Sequence, residues 1–248
     1  MYTKWSDLGF KLEKTHDGSP TLRQLSLQNE SMHHSAGAYS ETEFIYTPSI
    51  LKTAQTVGKP HFFILGLGLG YIEMIIAREC LKCNLDPLDV KISSFESSEA
   101  LRILFWRWIS DNPEGVLDDK NEFFPVYEEI LQRVEPVASE RSHIKEFLKL
   151  SFSTFQGLNG AFGVDSFPKL KSINCYLYDA FSSKTNLELW TEEFLFQFIN
   201  SSKSQFSLFS TYACTGNLKR ALKRSGFQLN IQKGFSGKRD YTQASVIV

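Results

Sequence analysis

Two carboxylates follow apolar runs whose length and composition predict buried strands. Asp179 comes directly after Ile173–Tyr178, and Glu96 comes directly after residues 90–95. Open α/β sheets place ligands and reactive groups beyond the carboxyl ends of their strands. Asp179, with the polar segment 182–186 behind it, therefore stands where ligand binding or chemistry is expected. A helix cap or a loop carboxylate is the alternative role for Asp179.

A glycine turn stands between a third apolar run and a helical pattern. Its sequence, Gly66-Leu67-Gly68-Leu69-Gly70, follows residues 60–65 and precedes residues 71–81. This order lets backbone and helix N–H groups approach a nucleotide closely. The spacing differs from the dinucleotide fingerprint and the phosphate-binding loop, and it fits the first turn of S-adenosylmethionine methyltransferases better. Turn chemistry alone is the other interpretation, but Glu96, at the end of the next strand, favours a nucleoside whose ribose it would bind.

Periodicity and capping residues predict the elements that position these groups. Strand-like pieces around the turn at residues 17–20 predict a small N-terminal β extension over residues 1–47, and residues 48–248 are predicted to form the main α/β domain. The predicted helices cover residues 48–58, 71–81, 98–110 and 122–134, and two more are capped by Thr191 and Thr215. Further predicted strands cover residues 148–152, 206–210, 227–231 and 244–248.

Length and composition bound the class of protein. The 248 residues predict one core with decorations, and no apolar run approaches the about 20 residues that span a bilayer. The first residues lack the apolar core of a signal peptide, so we expect a cytoplasmic protein without a membrane partner. Four cysteines are too few for a disulfide scaffold in this length, and we expect free thiols. A monomer is the default expectation.

Two short motifs match metal sites only in part. His33 and His34 are adjacent, but no further set of Cys, His, Asp or Glu with ligand spacing accompanies them. A structural or substrate-loop role is favoured for the pair, and no metal site is predicted. Cys80 and Cys83 lack a second pair, so packing is their favoured role.

Basic residues are concentrated near the carboxyl end, although the net charge of the chain is −1. Residues 217–240 contain seven Lys or Arg residues and one acid. The apolar spacing of Leu218 and Leu222 places Lys219 and Arg220 on the outer face of a helix. Such a region attracts phosphate, and a solvated helix face is the alternative.

Six segments and Glu96 occur in the order found in one known family. The segments are DGSPTL (17–22), HSAGAYSE (34–41), GLGLG (66–70), YDAFSSKTNLELW (178–190), STYACTGNLKRALKRSGF (210–227) and KGFSGKRD (233–240). In these residues the chain resembles the methyltransferase part of the MnmC family of tRNA wobble-uridine enzymes. It is most similar to the stand-alone members, which lack the fused flavin oxidase domain.

The resemblance implies a class I fold dependent on S-adenosylmethionine, Rossmann-like, with a mostly parallel sheet and an antiparallel last strand. It implies methyl transfer to the amine of 5-aminomethyl-2-thiouridine at the wobble position, in the anticodon region of tRNA. A separate enzyme would supply the aminomethyl precursor.

Positions that match the family carry implied roles. Gly66, Gly68 and Gly70 would line the cofactor and Glu96 would hold its ribose. Asp179 would sit at the reacting amine, and Phe181 would pack beside that amine or its base. The resemblance and the basic region together imply substrate or tRNA contacts for Asn186, Lys219, Arg220, Lys238 and Arg239.

The chain departs from the family at two places. The family has prolines twice within the segment that corresponds to residues 179–187, and this chain has none there. Ser153-Thr154 stands where the family has Gly-Asp. Two alternatives therefore stay open: a methyltransferase of a small amine or another nucleic acid, and a non-catalytic module that binds S-adenosylmethionine or nucleic acid.

Overall fold

The computed structural model describes residues 3–25, 30–111, 122–152, 158–160, 162–163, 170–180, 186–237 and 240–247. Within this part the strands are β1 (Phe10–Lys14), β2 (Pro20–Gln24), β3 (His61–Leu65), β4 (Lys91–Phe95), β5 (Leu158–Asn159), β6 (Ile173–Tyr178), β7 (Lys203–Thr211), β8 (Gln228–Gln232) and β9 (Tyr241–Ile247). The α-helices are α1 (Ala38–Thr56), α2 (Tyr71–Lys82), α3 (Glu99–Ile109), α4 (Phe123–Val134), α5 (Ala138–Phe152), α6 (Glu192–Ser202) and α7 (Gly216–Arg224).

A seven-stranded sheet forms the centre of the fold, in the order β5-β4-β3-β6-β7-β9-β8. β3 pairs in parallel with β4 and β6, β4 with β5, and β6 with β7, whereas β9 is antiparallel to both β7 and β8. Phe62 and Ile64 pack into the core on one face, and Phe63 and Leu65 pack into the core on the other. The prediction of a mostly parallel Rossmann-like sheet with an antiparallel last strand is confirmed.

Local signals located most elements correctly. The predicted strands at 60–65 and 90–95 and the predicted helices at 71–81, 98–110 and 122–134 each agree with the structure to within one residue at either end. Thr191 and Thr215 are N-caps, because their hydroxyls accept the backbone N–H groups of Phe194 and Leu218. The predicted free thiols are also confirmed for all four cysteines.

The predicted strand at residues 148–152 is wrong, because this segment is the last part of α5. The alternation of Leu148, Leu150 and Phe152 suggested a strand, but Leu150 is exposed. The buried residues of α5 instead include Ile144, Phe147 and Leu148, whose spacing is helical. The third parallel strand of the sheet is β5, further along the chain.

The predicted start of a helix at Pro48 is also wrong, because α1 begins ten residues earlier and contains Pro48 in its interior. Proline cannot donate to the carbonyl of Phe44, which costs the helix one bond. The helix continues because residues on both sides of Pro48 are buried, including Tyr46 and Ile50. Since α1 crosses the predicted boundary at residue 47, the division into an extension and a main domain stays a prediction.

The N-terminus of α1 is capped by the turn between β1 and β2. The N–H of Ala38 donates to the Ser19 hydroxyl at 3.0 Å, and the N–H of Ser40 donates to Asp17 Oδ2 at 3.1 Å. A Cβ on Gly37 would lie 2.4 Å from the same Asp17 oxygen, so only glycine allows this approach. The cap comes from distant residues, which explains why the helix can begin at residue 38 without a local signal.

We expect Asp17→Ala to lower the free energy of unfolding by about 2 kcal/mol, because charge-assisted capping bonds are lost. Burial raises the pKa of Asp17, but hydrogen bonds from Ser19, Ser40 and Thr15 outweigh it and hold the pKa well below its usual 3.8. The stabilisation is therefore complete above pH 4 to 5 and is lost as the pH falls towards the folded-state pKa. Denaturant titrations between pH 2 and 7 measure it, with the exposed Asp89→Ala as control. Equal losses for the two variants would contradict the cap.

Arg78 ties three helices together from a buried position. Its guanidinium donates to Glu43 of α1 at 2.8 Å, to Glu79 at 2.5 Å, and to the carbonyl of Val134 at the end of α4 at 3.2 Å. Both Arg78 and Glu79 are buried. Removing one partner of such a pair leaves a buried charge without compensation.

We expect Arg78→Met to lower the free energy of unfolding by about 3 to 5 kcal/mol, as found when one partner of a buried ion pair is removed. Chemical denaturation measures the loss. Lys82→Met is the matched control, because Lys82 pairs with the same Glu79 from an exposed position and its loss costs about 1 kcal/mol or less. Equal effects of the two variants would refute the structural role of Arg78.

Candidate active site

A cavity of 360 Å³ opens beyond the carboxyl ends of β3, β4 and β6, where Leu65, Phe95 and Asp179 line it. The sheet order reverses here, because the chain runs from β3 towards β5 on one side and from β6 towards β7 on the other. Open α/β sheets bind ligands at such a switch point. The volume lies within the about 300 to 1,000 Å³ typical of small-molecule sites.

Gly66 and Gly68 of the glycine turn line this cavity. A Cβ on Gly66 would lie 2.6 Å from the backbone carbonyl oxygen of Asp179, and its φ of +99° is one that side chains rarely adopt. Glycine at this position therefore lets the turn after β3 approach the end of β6. The turn is held in place because the Gly66 N–H donates to the Phe95 carbonyl at 2.9 Å.

Gly70 has a different place from the other two glycines. It is the N-cap of α2, and a Cβ there would lie 2.2 Å from the ring of Phe105 on α3. Gly70 is not among the residues that line the cavity. Its small size serves the packing of α2 against α3, and its predicted contact with a cofactor remains a prediction.

Glu96 connects the glycine turn to the start of α3. One carboxylate oxygen accepts the N–H of Gly68 at 3.1 Å and the other accepts the N–H of Ser98 at 2.9 Å. Burial raises the pKa of Glu96, and these two hydrogen bonds act in the opposite direction. Glu96 also lines the cavity, where a carboxylate can accept hydrogen bonds from ribose hydroxyls.

Asp179 is at the end of β6 and lines the same cavity as the glycine turn. Its backbone N–H donates to the Leu65 carbonyl at 2.8 Å, which joins it to the end of β3. The hydroxyl of Tyr46 on α1 donates to Asp179 Oδ1 at 2.6 Å. The structure therefore presents Asp179 as an oriented carboxylate inside the cavity.

The cavity is strongly acidic. Among the described residues, its lining includes five carboxylates and neither lysine nor arginine, the carboxylates being Glu30, Glu41, Glu96, Asp179 and Glu188. Burial raises the pKa of Tyr212, and the carboxylates of Asp179, Glu30 and Glu41 raise it further. A cavity with this lining favours ligands that carry positive charge.

His33 and His34 both line the cavity, next to these carboxylates. His33 Nδ1 is 3.0 Å from the Thr21 hydroxyl, and the backbone N–H of His34 donates to Glu41 at 2.8 Å. In the part of the chain that the structure describes, no group of three or more potential ligands is placed to hold a metal ion.

No described helix is long and apolar enough to cross a membrane.

The predicted substrate residues are not all in one place. Asn186 lines the cavity, whereas Lys219 and Arg220 lie on α7 and do not. Arg220 is paired with Glu192 of α6 at 2.5 Å. Four further predictions, for Phe181, Lys238, Arg239 and Ser153-Thr154, lie outside the described residues.

A family model matches nearly half of the chain. Residues 128–247 match the model of a family described as S-adenosyl-L-methionine-dependent methyltransferase. S-adenosylmethionine is therefore the cofactor of this methyltransferase domain.

Curated relatives of the methyltransferase domain include proteins named tRNA 5-methylaminomethyl-2-thiouridine biosynthesis bifunctional protein MnmC. The protein from a Marinomonas species is 29% identical over 132 residues, which make up 52% of this chain and 19% of the relative. The protein from Nitrosospira multiformis is 32% identical over 79 residues, 32% of this chain and 13% of the relative. The protein from Hahella chejuensis is 38% identical over 69 residues, 28% of this chain and 11% of the relative. Each match spans less than a fifth of the relative.

The crystal structure of MnmC2 from Aquifex aeolicus has the same fold. It superposes with a TM-score of 0.62 and 23% identity, covering 95% of this chain and 70% of that one. The superposition shows the class I fold that the sequence resemblance implies, and the sequence matches show that the chain is similar to S-adenosylmethionine-dependent methyltransferases and to proteins named MnmC.

The cavity of the methyltransferase domain suits S-adenosylmethionine. Gly66 and Gly68 line the cavity without side chains, so a nucleoside can approach their backbone closely. Glu96, at the end of the next strand, can accept hydrogen bonds from ribose hydroxyls. The acidic lining matches the sulfonium and the ammonium of the cofactor.

Sequence reasoning missed several residues of the site, among them Tyr46, Glu41 and Tyr212. Tyr46 and Glu41 are on α1, where the predicted start at Pro48 had excluded them from any helix. Tyr212 follows β7, and its hydroxyl donates to the Ala180 carbonyl at 2.7 Å beside Asp179. The apolar spacing of α1 could have located the helix, but it would have assigned Tyr46 to the core.

Proposed function

We propose that this domain transfers a methyl group from S-adenosylmethionine to the primary amine of 5-aminomethyl-2-thiouridine at the wobble position of tRNA. The observation that carries the proposal is Asp179, an oriented carboxylate in an acidic cavity that favours a cationic amine. The names of the relatives support tRNA as the substrate class. This function places the protein in the cytoplasm, after an enzyme that installs the aminomethyl group.

The chemistry requires an amine without its extra proton. Bound S-adenosylmethionine supplies a methyl group on a sulfonium, which leaves as a neutral thioether when the amine nitrogen bonds the methyl carbon. An aminomethyl group is mostly protonated at neutral pH, so a base must accept its proton first. Asp179 attracts the ammonium, orients it and accepts that proton.

The other site residues divide between cofactor and RNA. Gly66, Gly68 and Glu96 hold the nucleoside of the cofactor, and Gly70 supports their turn from behind. Asn186 contacts the substrate base from the cavity wall, with Phe181 beside the amine. Phosphate contacts are proposed for Lys219, Arg220, Lys238 and Arg239, and Arg220 must exchange Glu192 for phosphate to make one.

A small amine is the second candidate substrate. The acidic cavity favours any compact cation. The outer face of α7 is also partly neutralised, since Arg220 and Arg224 pair with Glu192 and Glu193 of α6. This arrangement reduces the positive charge available to RNA.

Transfer of labelled methyl groups tests the proposal. The protein is incubated with labelled S-adenosylmethionine and tRNA from cells that cannot complete the wobble-uridine modification, and product nucleosides are identified by mass. We expect 5-methylaminomethyl-2-thiouridine. Labelling of polyamines but not tRNA would favour the small-amine function, and cofactor binding in calorimetry without any transfer would favour a binding module.

A further inference from the structure

The side chain of Tyr46 reaches the proposed reaction centre from behind. Its ring is almost fully buried in the core between α1 and the sheet, with 2% exposure. Its hydroxyl donates to Asp179 Oδ1 at 2.6 Å. Tyr46 is not among the residues that line the cavity, so it contacts the carboxylate without contacting a ligand.

We propose that Tyr46 is a positioning residue that fixes the Asp179 carboxylate in its rotamer and in its anionic form for the incoming amine. The proposal rests on the proposed function and names a further residue required by it. An O–H···O⁻ bond of this length is charge-assisted and stronger than a bond between neutral groups. One oxygen of Asp179 is thus committed to α1, which restricts rotation of the carboxylate.

Burial keeps the Tyr46 hydroxyl protonated, so that it can donate a hydrogen bond. Burial raises the pKa of Tyr46 far above 10, and the adjacent Asp179 charge raises it further. The hydroxyl therefore keeps its proton at every pH at which the protein is folded and active. A protonated Asp179 would accept this hydrogen bond less strongly than the carboxylate does. The bond therefore favours the ionised form of Asp179.

Other charged groups share the cavity with Asp179. They include Glu30, and Glu41 on the same helix as Tyr46, and the hydroxyl of Tyr212 interacts electrostatically with all three carboxylates. Neighbouring carboxylates disfavour one another's ionisation. The hydrogen bond from Tyr46 opposes this effect at Asp179 by favouring its ionised form.

The helix that carries Tyr46 is held by contacts on both sides of that residue. The turn between β1 and β2 caps the first N–H groups of the helix through Asp17 and Ser19. One turn after Tyr46, the Ser49 hydroxyl is 2.6 Å from the Ser210 hydroxyl on β7. The N-terminal hairpin thus holds the start of the helix that carries Tyr46.

Tyr46→Phe tests the proposal because it removes one hydroxyl and keeps the ring. We expect kcat for tRNA methylation to fall about 10- to 100-fold, as for a misplaced catalytic group, with KM for tRNA and the Kd of S-adenosylmethionine nearly unchanged. The acidic limb of the kcat profile should move to higher pH, because Asp179 then gains a proton more readily. Tyr176→Phe is the matched control, since Tyr176 is a buried β6 tyrosine whose hydroxyl bonds Ser202 away from the cavity.

A merely structural hydroxyl would leave the pH profile unmoved, so a Tyr46→Phe enzyme with wild-type kcat and profile would overturn the proposal. If Tyr46→Phe does not fold, 3-fluorotyrosine at position 46 keeps the hydroxyl and strengthens it as a donor. The acidic limb should then move to lower pH, and an unmoved limb would equally overturn the proposal.

If the proposed function is wrong, the wild-type protein itself will methylate no tRNA. In that case the carboxyl carbon of Asp179, observed by NMR in protein labelled with ¹³C at aspartate and assigned with Asp179→Asn, reports on the bond directly. We expect it to titrate at higher pH in Tyr46→Phe than in the wild type. Identical titration would overturn the role of Tyr46.

Discussion

Asp179→Asn should slow methyl transfer by about 100- to 10,000-fold, the usual contribution of a proton-transfer group. Asparagine keeps the shape of the side chain and can still accept the Tyr46 hydroxyl. It cannot accept the proton of the ammonium or balance its charge. Single-turnover transfer to tRNA at saturating S-adenosylmethionine measures the loss, and calorimetry shows whether the cofactor still binds.

The control for this variant is Asp89→Asn, an exposed aspartate paired with Lys59 at the surface. Its rate should equal that of the wild type. Retention of full activity by Asp179→Asn, with normal tRNA and cofactor binding, would remove Asp179 from the mechanism. The amine would then have to lose its proton to another of the cavity carboxylates, such as Glu41.

The second large effect concerns Glu73, a carboxyl group buried beneath the glycine turn. Glu73 is on the first turn of α2 and has no exposed surface. Its Oε1 accepts the Ser94 hydroxyl at 2.7 Å, and its Oε2 has no hydrogen-bond partner among the described residues. Burial, with a smaller contribution from the nearby Glu96, raises the pKa of Glu73 to about 8. The folded protein therefore holds this group neutral at pH 7.

Glu73→Gln should raise the free energy of unfolding by about 3 kcal/mol at pH 7. The unfolded chain loses the proton of Glu73 near pH 4.5, whereas the folded protein keeps it until about pH 8. Between these values the unfolded state binds fewer protons, so wild-type stability falls as the pH rises. Glutamine resembles the neutral acid and carries no such penalty, so the difference between the proteins should grow from pH 5 to pH 8.

Denaturant titrations at several pH values between 5 and 8.5 measure this difference. Glu146→Gln on the exposed face of α5 is the control and should follow the wild-type curve. Parallel curves for the wild type and Glu73→Gln would show that Glu73 is ionised in the folded protein. The Oε2 atom of Glu73 would then need a hydrogen-bond partner.

Local patterns were sufficient wherever an element carries its own signals. The hydroxyls of Thr191 and Thr215 cap α6 and α7 because an N-cap needs only the next three residues. The run Ile173–Tyr178 is buried on both faces of the sheet, and five of its six residues are apolar or aromatic, which is typical of a central strand. The same patterns failed at residues 148–152, where a short alternation fits a strand and the end of a helix equally well.

The sequence by itself determined β3, β4 and β6, the glycine turn and the two carboxylates at strand ends, because parallel strands bring their carboxyl ends to one edge. Only the tertiary structure decided which groups meet there. Tyr46 contacts Asp179 across 133 residues of chain, and Gly70 is small to admit Phe105 rather than to line the cavity. Such contacts depend on how helices pack over the sheet, and the periodicity of a helix shows that a face is buried but not what it touches.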